Sequence, residues 1–158
     1  MTALVLTAGC TGAMDDEAVM PSASPSVTST AGPSVQRAGG SLALISAEVD
    51  GVMEALLTGV IVRSERGCLS LTDGSLTVPA RWPHGSVLSE DGLSVVVPDL
   101  GTVAVGYEVW AGGGNITLDS SHPILPELPE ECIPPPGTSI AALQTLLEGP
   151  PPDLPTAS

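Results

Sequence analysis

The chain has 158 residues, with 18 Asp and Glu against four Arg and no Lys, so its formal net charge is −14. Such a chain lacks the basic surface that nucleic acids and anionic membranes attract. No apolar run reaches the roughly 18–20 residues that a membrane-spanning helix needs. The length indicates one domain, and the 18 Gly and 16 Pro indicate that part of the chain is not packed.

The first ten residues form a short apolar segment that ends in Ala8-Gly9-Cys10. This segment resembles the end of a bacterial lipoprotein signal peptide, although Thr7 stands where Leu is commonest and no positively charged segment precedes it. The resemblance implies that residues 1–10 are a truncated signal remnant, with the true start further upstream. It also implies that Cys10 carries the lipid on the extracytoplasmic face of the cell membrane. A chance motif on a cytoplasmic protein is the alternative.

Two segments lack any hydrophobic period. Residues 11–39 are rich in Ser, Thr and Pro, and residues 149–158 contain four prolines. Neither segment has enough large apolar side chains to offset the entropy lost on ordering. We therefore predict a disordered tether at 11–39, a small β domain at 40–148 and a disordered Pro-rich tail at 149–158.

The central segment is dense in Val, Leu and Ile, and Gly, Pro and Asp-Gly signals divide it into short runs. This pattern predicts an all-β fold, which we expect to be a small, partly open antiparallel barrel of OB-like or SH3-like type. At its end, Ile140, Leu143 and Leu147 recur at helical spacing after Ser139. That spacing predicts one short C-terminal helix.

The firmest local prediction is a hairpin with Asp73-Gly74 as a two-residue loop, because this dipeptide favours a type I′ turn. The register then sets Leu71 opposite Leu76 and places Cys68 on the face away from the core. Further strands are predicted at Leu56–Arg63, Leu93–Val97, Thr102–Val105 and Tyr107–Ala111. The glycine run at 112–115 is predicted to break the pattern.

The three cysteines divide into one for the lipid and one pair. If Cys10 is acylated, Cys68 and Cys132 remain as an even pair in an oxidising compartment. We predict that they form a disulfide, which would fix the Pro-rich chain around Cys132. Buried free thiols or a chance pair are the alternatives.

The chain shows no sequence pattern for catalysis or metal binding. His84 and His122 lack the spacing of metal ligands and are interpreted as loop histidines. No catalytic residue and no cofactor is assigned. The candidate binding residues are the three aromatics, Trp82, Tyr107 and Trp110, since Trp and Tyr are enriched at interfaces. Core filling is our first interpretation of them, and an exposed Trp82 is the alternative.

One series of landmarks resembles small secreted β domains of GC-rich bacteria that have no assigned activity. The landmarks are Gly67-Cys68-Leu69, Trp82-Pro83, Val105-Gly106-Tyr107, Gly112-Gly113-Gly114 and Glu130-Glu131-Cys132. The resemblance implies a cell-envelope lipoprotein whose β domain is a binding or structural module, with an envelope protein or a glycan as candidate partner. A small extracytoplasmic enzyme and a plain cytoplasmic domain are the alternatives.

The lipobox-like motif generates a first prediction, for the protein expressed in its native host. Because the peptidase leaves the acceptor cysteine as the first residue, mass spectrometry of the membrane fraction should show a mature N-terminus at Cys10 with added acyl mass. Cys10→Ser should move the protein out of the membrane fraction. A soluble protein that retains Met1 would contradict the prediction.

Overall fold

The computed structural model describes residues 32–48, 53–118 and 127–149, and these residues form ten β-strands and no α-helix. The strands are β1 (Ser34–Ala38), β2 (Ser41–Ile45), β3 (Ala55–Arg63), β4 (Leu69–Thr72), β5 (Thr77–Trp82), β6 (Val87–Leu88), β7 (Ser94–Val97), β8 (Gly101–Ala104), β9 (Glu108–Thr117) and β10 (Ser139–Leu147). A single 3₁₀ turn lies at Glu130–Cys132.

Five of these strands close into a barrel. β3 pairs with β4 and β9, β4 pairs with β5, and β9 pairs with β10, all antiparallel. A parallel pairing between β5 and β10 closes the ring. Numbered along the chain, the barrel strands stand in the order 1-2-3-5-4, which is the connectivity of an OB-fold. The predicted all-β barrel is therefore confirmed, in its OB-like form and as a closed ring.

Two additions extend the barrel. The strands β6, β7 and β8 form a separate antiparallel sheet, and its inner side chains join the core cluster that contains Trp82 and Ile61. The hairpin β1–β2 lies outside the ring, where β2 pairs in parallel with the C-terminal end of β5. The edge strands among those described are thus β1, β6 and β8.

The domain begins earlier than the sequence predicted. Ser34–Ala38 is a strand, although it falls within the range assigned to the tether, so that boundary is wrong. Gln36 explains why this polar segment is ordered. Its side-chain amide donates to the carbonyl of Ser86 at 3.0 Å and accepts from the amide of Leu88 at 2.6 Å, which ties β1 to β6. Residues 1–31, and Cys10 with them, lie outside the described part of the chain.

The predicted C-terminal helix is wrong, because Ser139–Leu147 is a barrel strand between β5 and β9. A register shift between Leu143 and Thr145 marks a bulge. A bulge inserts one residue into the alternation, and both Leu143 and Leu146 therefore reach the core. The three residues that suggested a helix do not share a face, because Ile140 packs in a cluster with both cysteines, Leu143 lies in the main core and Leu147 is exposed.

The hairpin exists, but its register differs from the prediction. Leu71 pairs with Val78 and Thr72 with Thr77, so the loop has four residues. The Asp73 carboxylate accepts hydrogen bonds from the backbone amides of Leu76 and Ser75, each at 2.8 Å. These bonds lower the pKa of Asp73 to about 2 and favour a side-chain-closed turn over the two-residue turn. Leu76 is consequently exposed rather than in the core.

The glycine run does not break β9, which continues through residues 112–114 to Thr117. A side chain on Gly113 would overlap the backbone carbonyl of Ala142, and one on Gly114 would overlap Met53. These glycines therefore let β10 and the chain before β3 approach β9 closely. The predicted strands at β3, β7 and β8 are confirmed within two residues. Among the described residues, no helix is long and apolar enough to cross a membrane.

The close approach at Gly113 generates the second prediction. Gly113→Ala should lower the free energy of unfolding by about 1–3 kcal/mol, the usual cost of overpacking, because the obstructing atoms are backbone. Gly112→Ala is the matched control, since the nearest atom to its new methyl lies at 3.8 Å. Chemical denaturation of both variants measures the difference. Equal stability of the two variants would show that the strands do not approach as described.

Candidate functional site

The predicted disulfide is present between Cys68 and Cys132, whose Cα atoms lie 5.3 Å apart. It joins the start of β4 to the segment 127–138 that leads into β10, which we call the strap. Both cysteines are buried and pack with Leu42, Leu44 and Ile140 on the outer face of the barrel strands. The strap therefore covers a second, smaller apolar core.

Arginine side chains add polar attachments to the strap. The guanidinium of Arg66 donates to the carbonyls of Glu130 and Ile133 at 2.9 and 3.0 Å. Arg37 forms an ion pair with Glu131 at 3.3 Å. The pKa of Glu131 lies below its ordinary value because its own backbone amide and then Arg37 donate to the carboxylate. The strap is rich in proline and so has few N–H groups for a ladder, and these contacts take the place of one.

The turn between β3 and β4, residues 64–67, is held by Ser64. The hydroxyl of Ser64 accepts from the amide of Cys68 at 3.0 Å, and its amide donates to the carbonyl of Cys68 at 2.9 Å. Gly67 adopts a positive φ of 92° next to the carbonyl of Gly40, which a side chain would obstruct. This turn presents Arg63 and Arg66 beside the strap.

A groove of about 490 Å³ lies between this turn and the strap, and we call it the strap groove. Its floor is the outer face of β4 and β5, and its walls are the β3–β4 turn and the strap. OB-fold barrels bind oligonucleotides and oligosaccharides on the face of their second and third strands, between the loops that join strands 1–2 and 4–5. In this chain those elements are β4, β5, the turn and the strap. The residues that line the groove include Arg63, Ser64, Ser70, Thr77, Pro79 and Ile133.

A second cleft, of about 430 Å³, lies where the chain leaves β2 and β5. It is lined by Glu48, His84 and Asp99, among others. The Nδ1 atom of His84 is buried and has no hydrogen-bond partner within the described residues. In those same ranges, no group of three or more His, Cys, Asp or Glu lies close enough to hold a metal ion. His122 lies outside them.

The three aromatic candidates do not come together. Trp82 is fully buried in the main core, which confirms core filling and leaves no ring face for a ligand, so its role as a binding residue is wrong. Trp110 is half-buried on β9 and Tyr107 is exposed just before it. Neither of them lines the strap groove.

Sequence reasoning missed the strap groove itself. Its residues come from three segments that only the barrel brings together, and only Cys68 was singled out beforehand. The positions of the arginines could have indicated the groove, because two of the four, Arg63 and Arg66, flank one turn. No family model matches the sequence, and neither a curated protein nor a solved structure gives a significant match.

The disulfide generates the third prediction. Cys68→Ser with Cys132→Ser should lower the free energy of unfolding by about 4 kcal/mol in the chain-entropy model, because the bond spans 64 residues. Cys10→Ser should have no such effect and is the matched control. Mass spectrometry after thiol alkylation checks the bond directly. Equal labelling of both residues with and without reductant would mean that the thiols are free.

Proposed function

We propose that this chain is a lipid-anchored protein of the extracytoplasmic face of the cell membrane, and that its β domain binds an oligosaccharide in the strap groove. The observation that carries the proposal is the place of that groove. It lies on the second and third strands of an OB-like barrel, between the two loops that flank the ligand in such barrels.

The choice of a saccharide rests on charge. OB-folds bind two classes of ligand on this face. One of them, a nucleic acid, carries one phosphate per nucleotide and needs a basic surface. A chain of net charge −14 repels such a polyanion. A saccharide has few or no charges and remains compatible with the protein. The lipobox-like motif at Cys10 and the disulfide both favour an oxidising compartment outside the cytoplasm, where envelope glycans are found.

The groove also offers the right mixture of groups. Sugar hydroxyls both donate and accept hydrogen bonds. The hydroxyl of Ser64, which accepts from Cys68, can still donate, and that of Thr77, which donates to Thr72, can still accept. Pro79 and Ile133 supply apolar surface for the C–H faces of a sugar ring. The disulfide and Arg66 hold the strap in place before a ligand arrives, and such preorganisation lowers the entropic cost of binding.

The fourth prediction tests this function with the oxidised full chain. The probes are soluble maltohexaose, chitotetraose and tetragalacturonate, added during recording of amide NMR spectra. At least one probe should shift resonances of the strap groove, at residues 63–66, 70–79 and 131–135. Thr77→Trp places a large ring in the groove and should weaken that binding at least 10-fold.

Thr102→Trp is the matched control, because Thr102 is also an exposed strand residue but lies on β8, away from the groove. It should bind like the unaltered protein. Shifts confined to the cleft around His84 would move the binding site elsewhere and refute the proposal. Absence of shifts with all three probes would show that the strap groove binds none of these saccharides and would contradict the proposed function.

A further inference from the structure

The sheet formed by β6, β7 and β8 has one open edge. Of the edge strands among those described, β1 and β6 face each other, because the side chain of Gln36 on β1 donates to the carbonyl of Ser86 and accepts from the amide of Leu88. Among the described strands, β8 has a neighbour on one side only, which is β7. Its other side therefore remains free to pair with a further strand.

The pairing with β7 determines which backbone groups of β8 point to the open edge. Along an antiparallel pair, residues whose N–H and C=O groups face the partner strand alternate with residues whose groups face away. The amide of Val105 donates to the carbonyl of Leu93 at 2.8 Å, so Thr102 and Ala104 are residues that face away. In agreement with this alternation, the carbonyl of Ala104 accepts from the amide of Tyr107 at 3.0 Å. Both backbone groups of Thr102 and the amide of Ala104 thus point to the open edge.

A groove of about 300 Å³ lies along this edge, and we call it the edge groove. Its lining comes from two parts of the chain. One part is β8 with the residue before it, and the other comprises the two ends of the neighbouring barrel strands. The lining residues include Leu100, Thr102, Val103, Tyr107, Leu147 and Glu148.

An apolar row on the outer face of the sheet leads to the edge groove. Val87 on β6 pairs with Val96 on β7, and Val96 pairs with Thr102 on β8. The side chains of the two valines are therefore neighbours, and they are 45 % and 46 % exposed. Beyond Thr102, the exposed side chains of Tyr107 and Leu147 continue this surface into the groove. Exposed apolar residues grouped in this way are typical of an interaction site.

The strand β8 lacks most of the features that protect a free edge. Proteins protect such edges with charged residues, prolines or bulges. The sequence of β8 is Gly-Thr-Val-Ala, and it pairs with β7 residue for residue. Its protection is its length of four residues, which limits pairing to a short segment. The edge is therefore suited to a short ligand rather than to open-ended association.

The charge of the edge groove indicates the chemistry of a partner. Glu148 lines the groove, and the exposed residues Asp99 and Glu108 are chain neighbours of lining residues. None of the described residues that line it is an arginine. A second copy would bring the same carboxylates and a net charge of −14 to the contact, and like charges oppose association. A segment that carries lysine or arginine complements the groove instead.

We propose that the edge groove binds a short extended segment of a basic partner protein, which adds to β8 as a further strand. The main chain of the partner pairs with Thr102 and Ala104, which is recognition by strand addition. Its apolar side chains continue the row of Val87 and Val96, and its cations lie near Glu148. Among the described residues, none lines both this groove and the strap groove. The inference is therefore independent of the saccharide proposed for the strap groove.

The fifth prediction uses the capped heptapeptide Lys-Val-Lys-Val-Lys-Val-Lys, added to the oxidised full chain during recording of amide NMR spectra. It should shift resonances of residues 100–109 and 147–148. The same peptide N-methylated at every residue keeps all side chains but cannot donate from its backbone. It should bind at least about 10-fold more weakly, because the edge is recognised through main-chain hydrogen bonds. A peptide with Glu in place of Lys should be weakened to a similar degree by repulsion.

Two pairs of variants locate the binding on the protein. Thr102→Pro removes the outward amide at an edge position that tolerates proline, and should weaken binding of the lysine peptide at least about 10-fold. Thr102→Val keeps that amide and should bind like the unaltered chain. Glu148→Lys should weaken binding more than its matched control Glu54→Lys. That control changes the net charge equally at an exposed residue beside the opposite end of β9, where Ala55 pairs with Gly113.

The melting temperature of each variant shows whether it is folded, and if Thr102→Pro is not, the comparison of Glu148→Lys with Glu54→Lys decides. Equal binding of the methylated peptide would overturn strand addition, and equal binding of the acidic peptide would overturn the basic partner. A dimer in sedimentation that Thr102→Pro abolishes would assign the edge to a second copy. Binding of the lysine peptide only after deletion of residues 150–158 would assign the groove to that segment. Either result, or the absence of shifts at residues 100–109, would overturn the proposal.

Discussion

The covalent attachment of the strap to the start of β4 is the constraint on which the outer half of this fold depends. Proline leaves the strap few backbone donors, so a strand ladder cannot hold it against the barrel. The Cys68–Cys132 bond does so instead, and the fork of Arg66 fixes the chain on both sides of it. As a result the outer face of β10 is covered near Ile140 as fully as the inner face.

This double burial determines the character of β10. A strand covered on both faces is apolar in a continuous run rather than in alternation, and residues 140–143 are such a run. The strap and the apolar run therefore depend on each other. The strap has a hydrophobic surface to cover only because β10 is apolar on its outer side, and that side is tolerated only because the strap is fixed over it.

Features that depend on residues close together in the sequence could be predicted, and features that depend on distant residues could not. The all-β class, the strands β7 and β8 and the cysteine pair depend on local patterns or on a count, and they are confirmed. The loop at Asp73 was misjudged because its carboxylate competes with the backbone for the turn amides. The error at β10 comes from burial on both faces, because a continuous apolar run contains apolar residues at helical spacing as well. The strap groove was not predictable because its walls lie more than 60 residues apart in sequence, and nothing local in Ser70 or Thr77 marks them as neighbours of Ile133.

The four arginines do not all stabilise the fold. In an acidic chain with four arginines, carboxylates are abundant, so an acidic partner for each arginine is easily found. Arg37 and Arg66 bind the strap, which is the structural use expected of scarce cations. Arg81 does the opposite, because it is buried among apolar neighbours and no carboxylate in the described ranges pairs with it. Stability alone favours a methionine or leucine there, and proteins accept such destabilisation mainly where a function requires it.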